Sequence, residues 1–546
     1  MNSRTSRSLR TALSLLFASG TIAGCASPFH ISTSDFAATP DERIRAIPPL
    51  DIEQYRVDES PAAPDASYVS RLTTGEQVEL DIADVRAAAI ANNLDIRVAR
   101  LDPAIAEESV NEEAARFDSV FRVDARYDES DAPAATTLNA TEANVQSFTP
   151  TLTKPLLTGG TVDVSLPTSR VSNDNAFTTL NPSYQSDLVL RLTQPLLRGA
   201  GRTATTAQLR IAGINRSVAS VRARSSIATT LTSVDRSYWE LWAARQQLEL
   251  RIEEFEVARE VLAQARRLVD AGAVAEIEIA RAESGVADRV SLLLILEQAV
   301  LQRQRELKRA MNTGDLLSTD DSVLIPLSDP APLPLELDTP SLVDVAMTTR
   351  PELLELELEL LADTTRIALA RNDALPQLDA SFTYRRNGLG AELEGALNQI
   401  YQDEFEDYGF GLTASMPIGN NAAEARIQRA LLNRMSRVLT KDARQQTITQ
   451  DVLDAVERLR SDWQRILAAR QAVTLNARTL EAEQRQFTQG ISTSVDVLEA
   501  AARLASARAE EIRSIADYEL AQVALAQATG TVLGRAAIDL GQPERP

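Results

Sequence analysis

Cysteine and histidine, which supply most nucleophilic and metal chemistry, each occur once in the 546-residue chain, as Cys25 and His30. A catalytic triad with a histidine base or a Cys/His zinc site needs several such residues together, and a disulfide needs a second cysteine. The sequence also shows no nucleophile paired with a base, no phosphate-cradling glycine loop and no metal-ligand cluster. We therefore expect neither an enzyme nor a bound cofactor.

Cys25 stands where chemical modification is expected. Three arginines within the first ten residues precede an apolar stretch from Ala12 to Ile22, and the first 24 residues contain no acid. This is the layout of a secretory signal. The segment Ile22-Ala23-Gly24-Cys25 resembles the bacterial lipobox, where a peptidase cuts before the cysteine and the thiol is acylated, for example with palmitate. An ordinary signal with a chance cysteine is the alternative, and the absence of Asp at Ala26 resembles lipoproteins sorted to the outer membrane.

Asp496 and Glu499 are the acidic pair whose spacing is most suggestive, because residues at i and i+3 share one face of a helix. The same register in the first half of the chain gives Glu278 and Arg281. Any exposed helix carries such charges, so the spacing alone assigns no role. What the pair does depends on the elements that position it.

Net charge and hydropathy limit the partners. Lys plus Arg is 56 and Asp plus Glu is 77, a formal net charge of −21, or −24 once the three arginines of the signal are removed. Such a chain is a poor partner for nucleic-acid phosphates. No run of 18 apolar residues follows the signal, so a membrane crossing would have to be made by strands.

Two very long helices are predicted, over residues 203–271 and 422–489. Eleven positions from Val234 to Val269 step alternately by four and three residues, and eight are apolar; a shift of 218 gives eleven more, nine of them apolar. This period is typical of coiled-coil-like helices, although soluble bundle helices would share it. Each helix would be about 100 Å long. Gly272 and Gly490 follow the last step and suit a left-handed turn.

Shorter elements repeat in the same way. Helices are predicted at Asp95–Arg116 and Leu353–Ala374, because Leu and Glu favour helix even where Leu354–Leu360 alternates like a strand. After each of them, at Phe121–Tyr127 and Leu378–Tyr384, the apolar period becomes two. That dyad pattern is typical of membrane barrel strands, and equally of a half-buried strand in a soluble sandwich.

A returning strand follows in each half, at Leu188–Thr193 and Phe410–Met416, and the first half carries 35 additional residues before its return. Within them, Thr149–Lys154 and Thr161–Leu166 form a candidate hairpin around Pro155–Gly160. The sequence leaves open whether this hairpin enters the sheet or lies outside it.

The order of helix, strand pair, very long helix and return helix, twice over, resembles the TolC-like outer-membrane efflux family across about residues 75–535. The most specific pieces are Thr193–Leu197, Arg350–Leu353, Leu375–Leu378 and Gly490–Glu499. The resemblance implies a mostly α fold with a membrane β-barrel: a homotrimer with two structural repeats per chain, a barrel of usually 12 strands and a periplasmic helical coiled-coil tunnel. Four to six strands per chain cannot close a barrel alone, since at least about eight are needed.

The resemblance also implies function. We expect an outer-membrane channel-tunnel of a tripartite efflux or secretion system, a passive conduit that meets a periplasmic adaptor (membrane fusion protein) and an inner-membrane transporter. The alternatives are a type I protein-secretion duct and a non-conducting, periplasm-spanning structural lipoprotein. The periplasmic gate would comprise Asp496, Glu499 and Glu278. The helix tips that dock the adaptor would comprise Gly272, Ala273, Gly490, Ile491 and Ser492.

The expected organisation follows from these assignments. It comprises a signal peptide at 1–24, a lipidated N-terminal linker at 25–78, a first repeat at 79–312 with strands at about 119–194, a Pro-rich equatorial linker at 313–340, a second repeat at 341–535 with strands at about 377–417, and a tail at 536–546.

Overall fold

The computed structural model describes Leu72 and residues 76–535, apart from 134–135, 137–138, 273, 315, 317–319, 321, 331, 403–404 and 490. The predicted signal, Cys25 and the C-terminal tail lie outside these residues. In chain order the first half comprises β1 (Gln77–Leu80), α1 (Ile82–Asn92), α2 (Leu94–Ala115), β2 (Val120–Asp131), β3 (Glu142–Pro155), β4 (Thr161–Ser165), β5 (Thr168–Asn173), β6 (Ser183–Pro195), α3 (Arg202–Thr205), α4 (Ala207–Asp270) and α5 (Ile277–Met311). The second half comprises β7 (Val323–Pro326), α6 (Thr339–Thr349), α7 (Pro351–Asp373), β8 (Gln377–Gly390), α8 (Leu393–Gln402), β9 (Glu406–Ser415), α9 (Asn421–Thr488), α10 (Ser494–Ala528) and α11 (Val532–Arg535).

The two long helices form where the heptad-like period predicts them. With 64 and 68 residues, α4 and α9 are about 96 and about 102 Å long. The first begins at Ala207, four residues later than predicted, because Thr206 (φ −94°, ψ 13°) separates it from the single turn α3. Each is followed by a 35-residue return helix, α5 or α10, that packs back along it.

The shorter helices occupy matching places in the two halves but have different neighbours. In α2, the Asn93 side chain caps the N-terminus by accepting hydrogen bonds from the amides of Asp95 and Ile96. In α7, the Leu354–Leu360 segment is helical as predicted, and Pro351 occupies the first turn, where proline costs no hydrogen bond. α7 lies between α4 and α9, whereas within residues 76–535 α2 packs along α4 and along no second long helix.

The large sheet is antiparallel and has six strand positions, in the order β2, β3, β4 with β5, β6, β8 and β9. β4 and β5 follow one another between β3 and β6 and fill one position together. The two outer strands, β2 and β9, form the edges.

Helix α8 is an element that the sequence reasoning missed. It packs on β6 and β8 beyond the apolar part of the sheet. Gly388 permits this approach, because a Cβ atom there would lie 2.0 Å from the Ala396 carbonyl oxygen.

A small parallel sheet, β1 with β7, ties the beginning of the described chain to the segment between the halves. It packs beside the buried Tyr238 of α4, whose hydroxyl lies 2.8 Å from Ser328 Oγ. The proline-rich 313–340 segment therefore contains an ordered strand that fixes it to α4.

Candidate functional site

One face of the large sheet is apolar across all six strand positions. The register places Phe121 opposite Leu152, and Leu192 opposite Phe382, which in turn lies opposite Phe410. Exposed apolar side chains on this face are Phe121, Val123, Tyr127, Phe148, Leu152, Val164, Leu190, Leu192, Tyr408, Phe410, Leu412 and Met416. In β2 they extend over seven residues, about 23 Å, close to the height of a lipid-facing band.

The opposite face of the sheet is polar. Its side chains include Arg122, Asp124, Arg126, Thr151, Thr153, Asp163, Arg191, Thr383, Arg385 and Asp407. Thr153 Oγ1 donates a 2.6 Å hydrogen bond to Asp163 Oδ1 across two strands of this face. The alternation predicted from β2 and β8 therefore continues through β4, β6 and the part of β3 that pairs with β4. It does not extend to β5, where Arg170 lies on the face of Phe148 and Val171 on the opposite face.

The candidate hairpin lies inside the sheet. Its turn, Leu156–Gly160, rests against the connection between β6 and α4: the amide of Gly201 donates to the Thr158 carbonyl at 2.9 Å, and Gln194 Nε2 donates to the same oxygen at 3.1 Å. Gly159 has φ +94°, and a Cβ atom there would lie 2.2 Å from the Gly199 oxygen. Only glycine combines this backbone conformation with such close contact.

At the other end of α4 and α9 lie the two helix tips, where the chain turns into the return helices. Gly272 adopts φ +69°, the left-handed turn expected of it. Ile491 is 72% exposed, and Ile277 and Val495 add exposed apolar surface that the sequence reasoning missed. Ala273 and Gly490 lie outside the described residues.

Asp496 caps the beginning of α10. Its carboxylate accepts hydrogen bonds from the Thr493 hydroxyl at 2.6 Å and the Thr493 amide at 3.0 Å, while the Asp496 amide donates back to Thr493 Oγ1. This reciprocal arrangement is a capping box. The Thr493 hydroxyl, and then its amide, hold the pKa of Asp496 below its ordinary value. Ser492 lies beside it, with its hydroxyl 2.9 Å from Glu483 Oε2.

Glu499 is exposed one turn further along α10, and it is paired. Arg503 Nη2 lies 2.6 Å from Glu499 Oε1, in an i, i+4 arrangement with both side chains open to solvent. The arginine reduces the negative charge that Glu499 presents. This partner was readable from the sequence by its spacing, but sequence reasoning did not consider it.

Glu278 lies on a different surface from Asp496 and Glu499. It is buried between α5 and α10, where Ser494 Oγ donates to its Oε2 at 2.5 Å and Arg281 Nη1 donates to its Oε1 at 2.6 Å. The Ser494 hydrogen bond, followed by that from Arg281, lowers the pKa of Glu278. Glu278 starts a row of buried positions on α5 that continues through Ala282 and Gly285. The spacing of four and three residues is visible in the sequence, but the sequence does not show what covers this row.

Behind this link the start of α10 is tightly packed on the first half. A Cβ atom at Gly285 would lie 2.7 Å from Leu498 Cδ1. Arg289 Nη2 donates to the Leu498 carbonyl at 3.2 Å, and its Nε lies 3.4 Å from the buried carboxylate of Glu254. Sequence reasoning singled out none of these contacts, because each joins residues far apart in the chain.

Hydrogen bonds from the residues at the start of the shorter helices α2 and α7 hold the C-terminal ends of both return helices. The side-chain amide Nδ2 of Asn93 donates to the Ala310 carbonyl at the end of α5 at 2.8 Å. The Arg350 guanidinium donates to the carbonyls of Gln527 and Ala528 at the end of α10 at 3.1 and 3.3 Å. Both satisfy helix-terminal oxygens that lack an intrahelical donor.

Two classes of site are absent from the part of the chain that the structure describes. No helix there is long and apolar enough to cross a membrane. No group of three or more His, Cys, Asp or Glu side chains in the same residues is arranged to hold a metal ion.

The fold matches several solved structures. CusC aligns with a TM-score of 0.62 and 16% identity, covering 87% of this chain and 98% of its own. VceC from Vibrio cholerae aligns at 0.60 and 13%, covering 82% and 96%, and the open state of MtrE from Neisseria gonorrhoeae at 0.60 and 15%, covering 88% and 96%. No curated protein matches the chain.

The sequence model of one family, described as outer membrane efflux protein, matches residues 161–313 and 342–531. These segments make up more than half of the chain and include both long helices, both return helices and the strands from β4 onward, apart from β7. The chain belongs to the outer membrane efflux protein family.

Proposed function

We propose that three copies of the chain form a passive outer-membrane channel-tunnel, joined by a periplasmic adaptor and an inner-membrane transporter into a tripartite efflux or secretion conduit. Membership of the outer membrane efflux protein family supports the location and the class of transport. CusC is described as forming a transmembrane channel, and MtrE as an outer membrane channel seen in an open state. For this chain, the proposal depends on two features that one copy leaves without a partner: the exposed apolar side of α2 and the edge strands β2 and β9.

The observation that carries the proposal is the uncovered side of α2. Its equivalent in the second half, α7, is held on both sides, by Arg222 of α4 on Glu359 and by Arg437 of α9 on Asp363. On α2, four apolar side chains spaced by four, three and four residues are each more than half exposed: Leu94, Val98, Leu101 and Ile105. This spacing is that of a coiled-coil seam.

The helix that fits this seam is α9 of a second copy. An exposed face of α9 carries Leu432, Met435 and Leu439 in steps of three and four. The 218-residue shift relates Arg222 to Thr440, and a 258-residue shift relates Glu359 to Leu101. Each copy thus offers one α2 and one α9 to different neighbours, a head-to-tail contact that closes into a ring.

The same ring would close the sheet. β2 and β9 are its free edges and run antiparallel to each other, so β2 of one copy can pair with β9 of the next. Closure gives every backbone group in the wall a partner, which lipid requires. It places the apolar face toward lipid and the polar face toward a water-filled lumen.

Three further assignments complete the proposal. Acylation of Cys25 would anchor the mature N-terminus to the outer membrane. The helix tips would dock the adaptor, and the exposed apolar side chains of Ile277, Ile491 and Val495 support that role. Asp496 and Glu499 would line the narrow end of the tunnel, with Glu278 holding the two helical hairpins together behind them.

The test measures assembly of copies and ion conduction in the same preparation. In a Leu101→Cys/Thr440→Cys chain, a short bismaleimide should link copies into dimers and trimers, and the same preparation should form pores in planar bilayers. The matched control is Arg222→Cys/Glu359→Cys, which replaces the equivalent contact within one copy and should give monomers only. The unsubstituted chain, with Cys25 alone, sets the background. Linked copies without conductance would favour the structural lipoprotein instead.

A further inference from the structure

We propose that the inserted hairpin (β3, β4 and β5, residues 142–173) is part of the membrane wall, so that three copies close an 18-stranded barrel. The family usually has 12 strands, four from each copy, whereas each copy here would contribute six. The inference rests on the proposed function, because the count of 18 strands is six strand positions in each of three copies. Its consequence is a wider outer-membrane pore, which moves the narrowest point of the path to the helix tips.

The hairpin occupies central positions in the sheet, not an edge. β2 pairs with β3 along the whole length of β2, from Val120 opposite Thr153 to Asp131 opposite Glu142. On its other side β3 pairs with β4 and β5, and both of these pair with β6. The hairpin therefore separates β2 from β6, and within this sheet the two have no direct pairing. An accessory hairpin outside the wall would leave β2 and β6 adjacent.

The two faces of the hairpin are in phase with those of its neighbours. Leu152 lies between Phe121 and Val164 on the apolar face, and Val164 lies opposite Leu190. The adjacent Thr151 and Thr153 point to the polar face that carries Asp163. Because a shift of one residue would exchange the faces, this agreement across four strands indicates a shared wall. Phe148 and Leu152 remain exposed in one chain, as lipid-facing residues would.

The hairpin also has the height of the wall. β3 has 14 residues, compared with 13 in β6 and 14 in β8. At the end of the sheet nearest the long helices, the hairpin turn is held against the connection between β6 and α4 through Thr158 and Gly159. The strands thus begin at the helical end of the sheet, like those beside them.

The number of strands sets the width of the barrel. With strands about 4.8 Å apart and tilted by about 40°, 18 strands enclose a backbone diameter of about 36 Å, against about 24 Å for 12. A solute that passes the helix tips would then meet no narrower point at the membrane.

Adjacent residues in β3 provide the test. In assembled protein in lipid vesicles, Thr151→Cys should react with a charged, membrane-impermeant maleimide, whereas Leu152→Cys should react several-fold more slowly and instead respond to a lipid-dissolved quencher after fluorescent labelling. Ser381→Cys and Phe382→Cys in β8, which lie on the same two faces, are the matched control. Equal reaction of Thr151→Cys and Leu152→Cys with the charged reagent would place the hairpin outside the wall and overturn the inference.

Pore width is a second, independent readout. Neutral polymers of about 10 Å radius, added on the outer side only, should enter the mouth of an 18-stranded barrel and lower its conductance, whereas a 12-stranded barrel should exclude most of them. Exclusion together with normal conductance would refute the wider wall and leave the channel proposal intact. Absence of linked copies and of conductance would reject the proposed function, and the strand number with it.

Discussion

The hydroxyl of Ser494 donates a 2.5 Å hydrogen bond to Glu278 Oε2 and thereby joins the first turn of α10 to the first turn of α5. Arg281 holds the other carboxylate oxygen. The bond connects the two helical hairpins at their tips, at the end of the long helices opposite the sheet. Any movement that separates α5 from α10, as opening of the proposed tunnel would, must break it.

Ser494→Ala should therefore raise single-channel conductance in planar bilayers. Losing a buried hydrogen bond to a charged group costs about 1.5–3 kcal/mol, enough to shift a closed-to-open equilibrium by roughly 10- to 100-fold. Thr479→Ala is the control, because its hydroxyl is exposed on α9 and bonds only the Leu475 carbonyl of its own helix. Conductance equal to that of the parent in both variants would show that the link does not limit opening.

Acidification should weaken the same link. The pKa of Glu278 lies below its ordinary value of 4.5 because the folded structure stabilises its carboxylate. The stabilisation is thus fully present above about pH 4.5 and is lost as the pH falls through the lowered pKa. Conductance should rise below about pH 4.5 in the parent and be much less pH-dependent in Glu278→Gln. Asp496→Asn tests the nearby carboxylate whose pKa is also lowered; if it alone removed the pH response, Asp496 would be the titrating group.

The exposed acids at the tip should govern ion selectivity. Three copies of Asp496 and Glu499 would place six carboxylates in one constriction, where low-dielectric walls strengthen their field. Asp496→Ala with Glu499→Ala should weaken cation selectivity, raise conductance and reduce block by multivalent cations from the periplasmic side. Arg503→Ala should have the opposite effect on block, because it unpairs Glu499. Identical block in the parent, the double variant and Arg503→Ala would place these acids on a solvated outer face.

Loss of the cap is a separate effect of the Asp496 substitution. Removing the capping-box carboxylate should cost about 1 kcal/mol of helix stability at the start of α10. Helical content measured by circular dichroism during thermal unfolding should distinguish this loss from the electrostatic effect, since Glu499→Ala leaves the cap in place.

Bulky substitutions at the helix tips should reduce efflux without reducing assembly. Trp at Ala273, Ile491 or Ser492 would prevent close approach of an adaptor, while the seam proposed between copies lies elsewhere, along Leu94–Ile105 of α2. The measurements are the accumulation in cells of a panel of candidate solutes and the amount of crosslinked trimer. Leu333→Trp, exposed in the segment between the halves, is the control. Undiminished efflux in all three tip variants would require docking elsewhere.

Cys25→Ser should abolish incorporation of labelled fatty acid. Much of the protein should still assemble, because the apolar face of the sheet offers a far larger lipid contact than one acylated residue. Labelling of fractionated membranes, with trimer content as the control, measures both effects. Unchanged labelling would rule out this residue as the acylation site.

The sequence by itself determined the long helices, the main strands and the repetition of these elements, but not α8 or β7. Heptad-like steps predicted α4 and α9, and alternation predicted the strands, because side-chain periods of 3.5 and 2 reflect the geometry of one helix or strand and need no neighbour. The strong helix propensity of Leu and Glu correctly decided Leu354–Leu360 against its strand-like alternation. Gly272 as a left-handed turn was likewise readable from its place after the last heptad step.

Tertiary structure alone decided which elements meet. Alternation in β3 shows which side chains share a face, but not that β2 and β4 are its neighbours, because strand pairing joins residues that are distant in the chain. For the same reason the sequence made Glu278 the first-repeat equivalent of Asp496 and assigned both to one gate, whereas packing buried Glu278 against Ser494, more than 200 residues away. Local periodicity fixes which side of an element is apolar; the side chain that covers it is fixed only when distant segments pack together and exclude water.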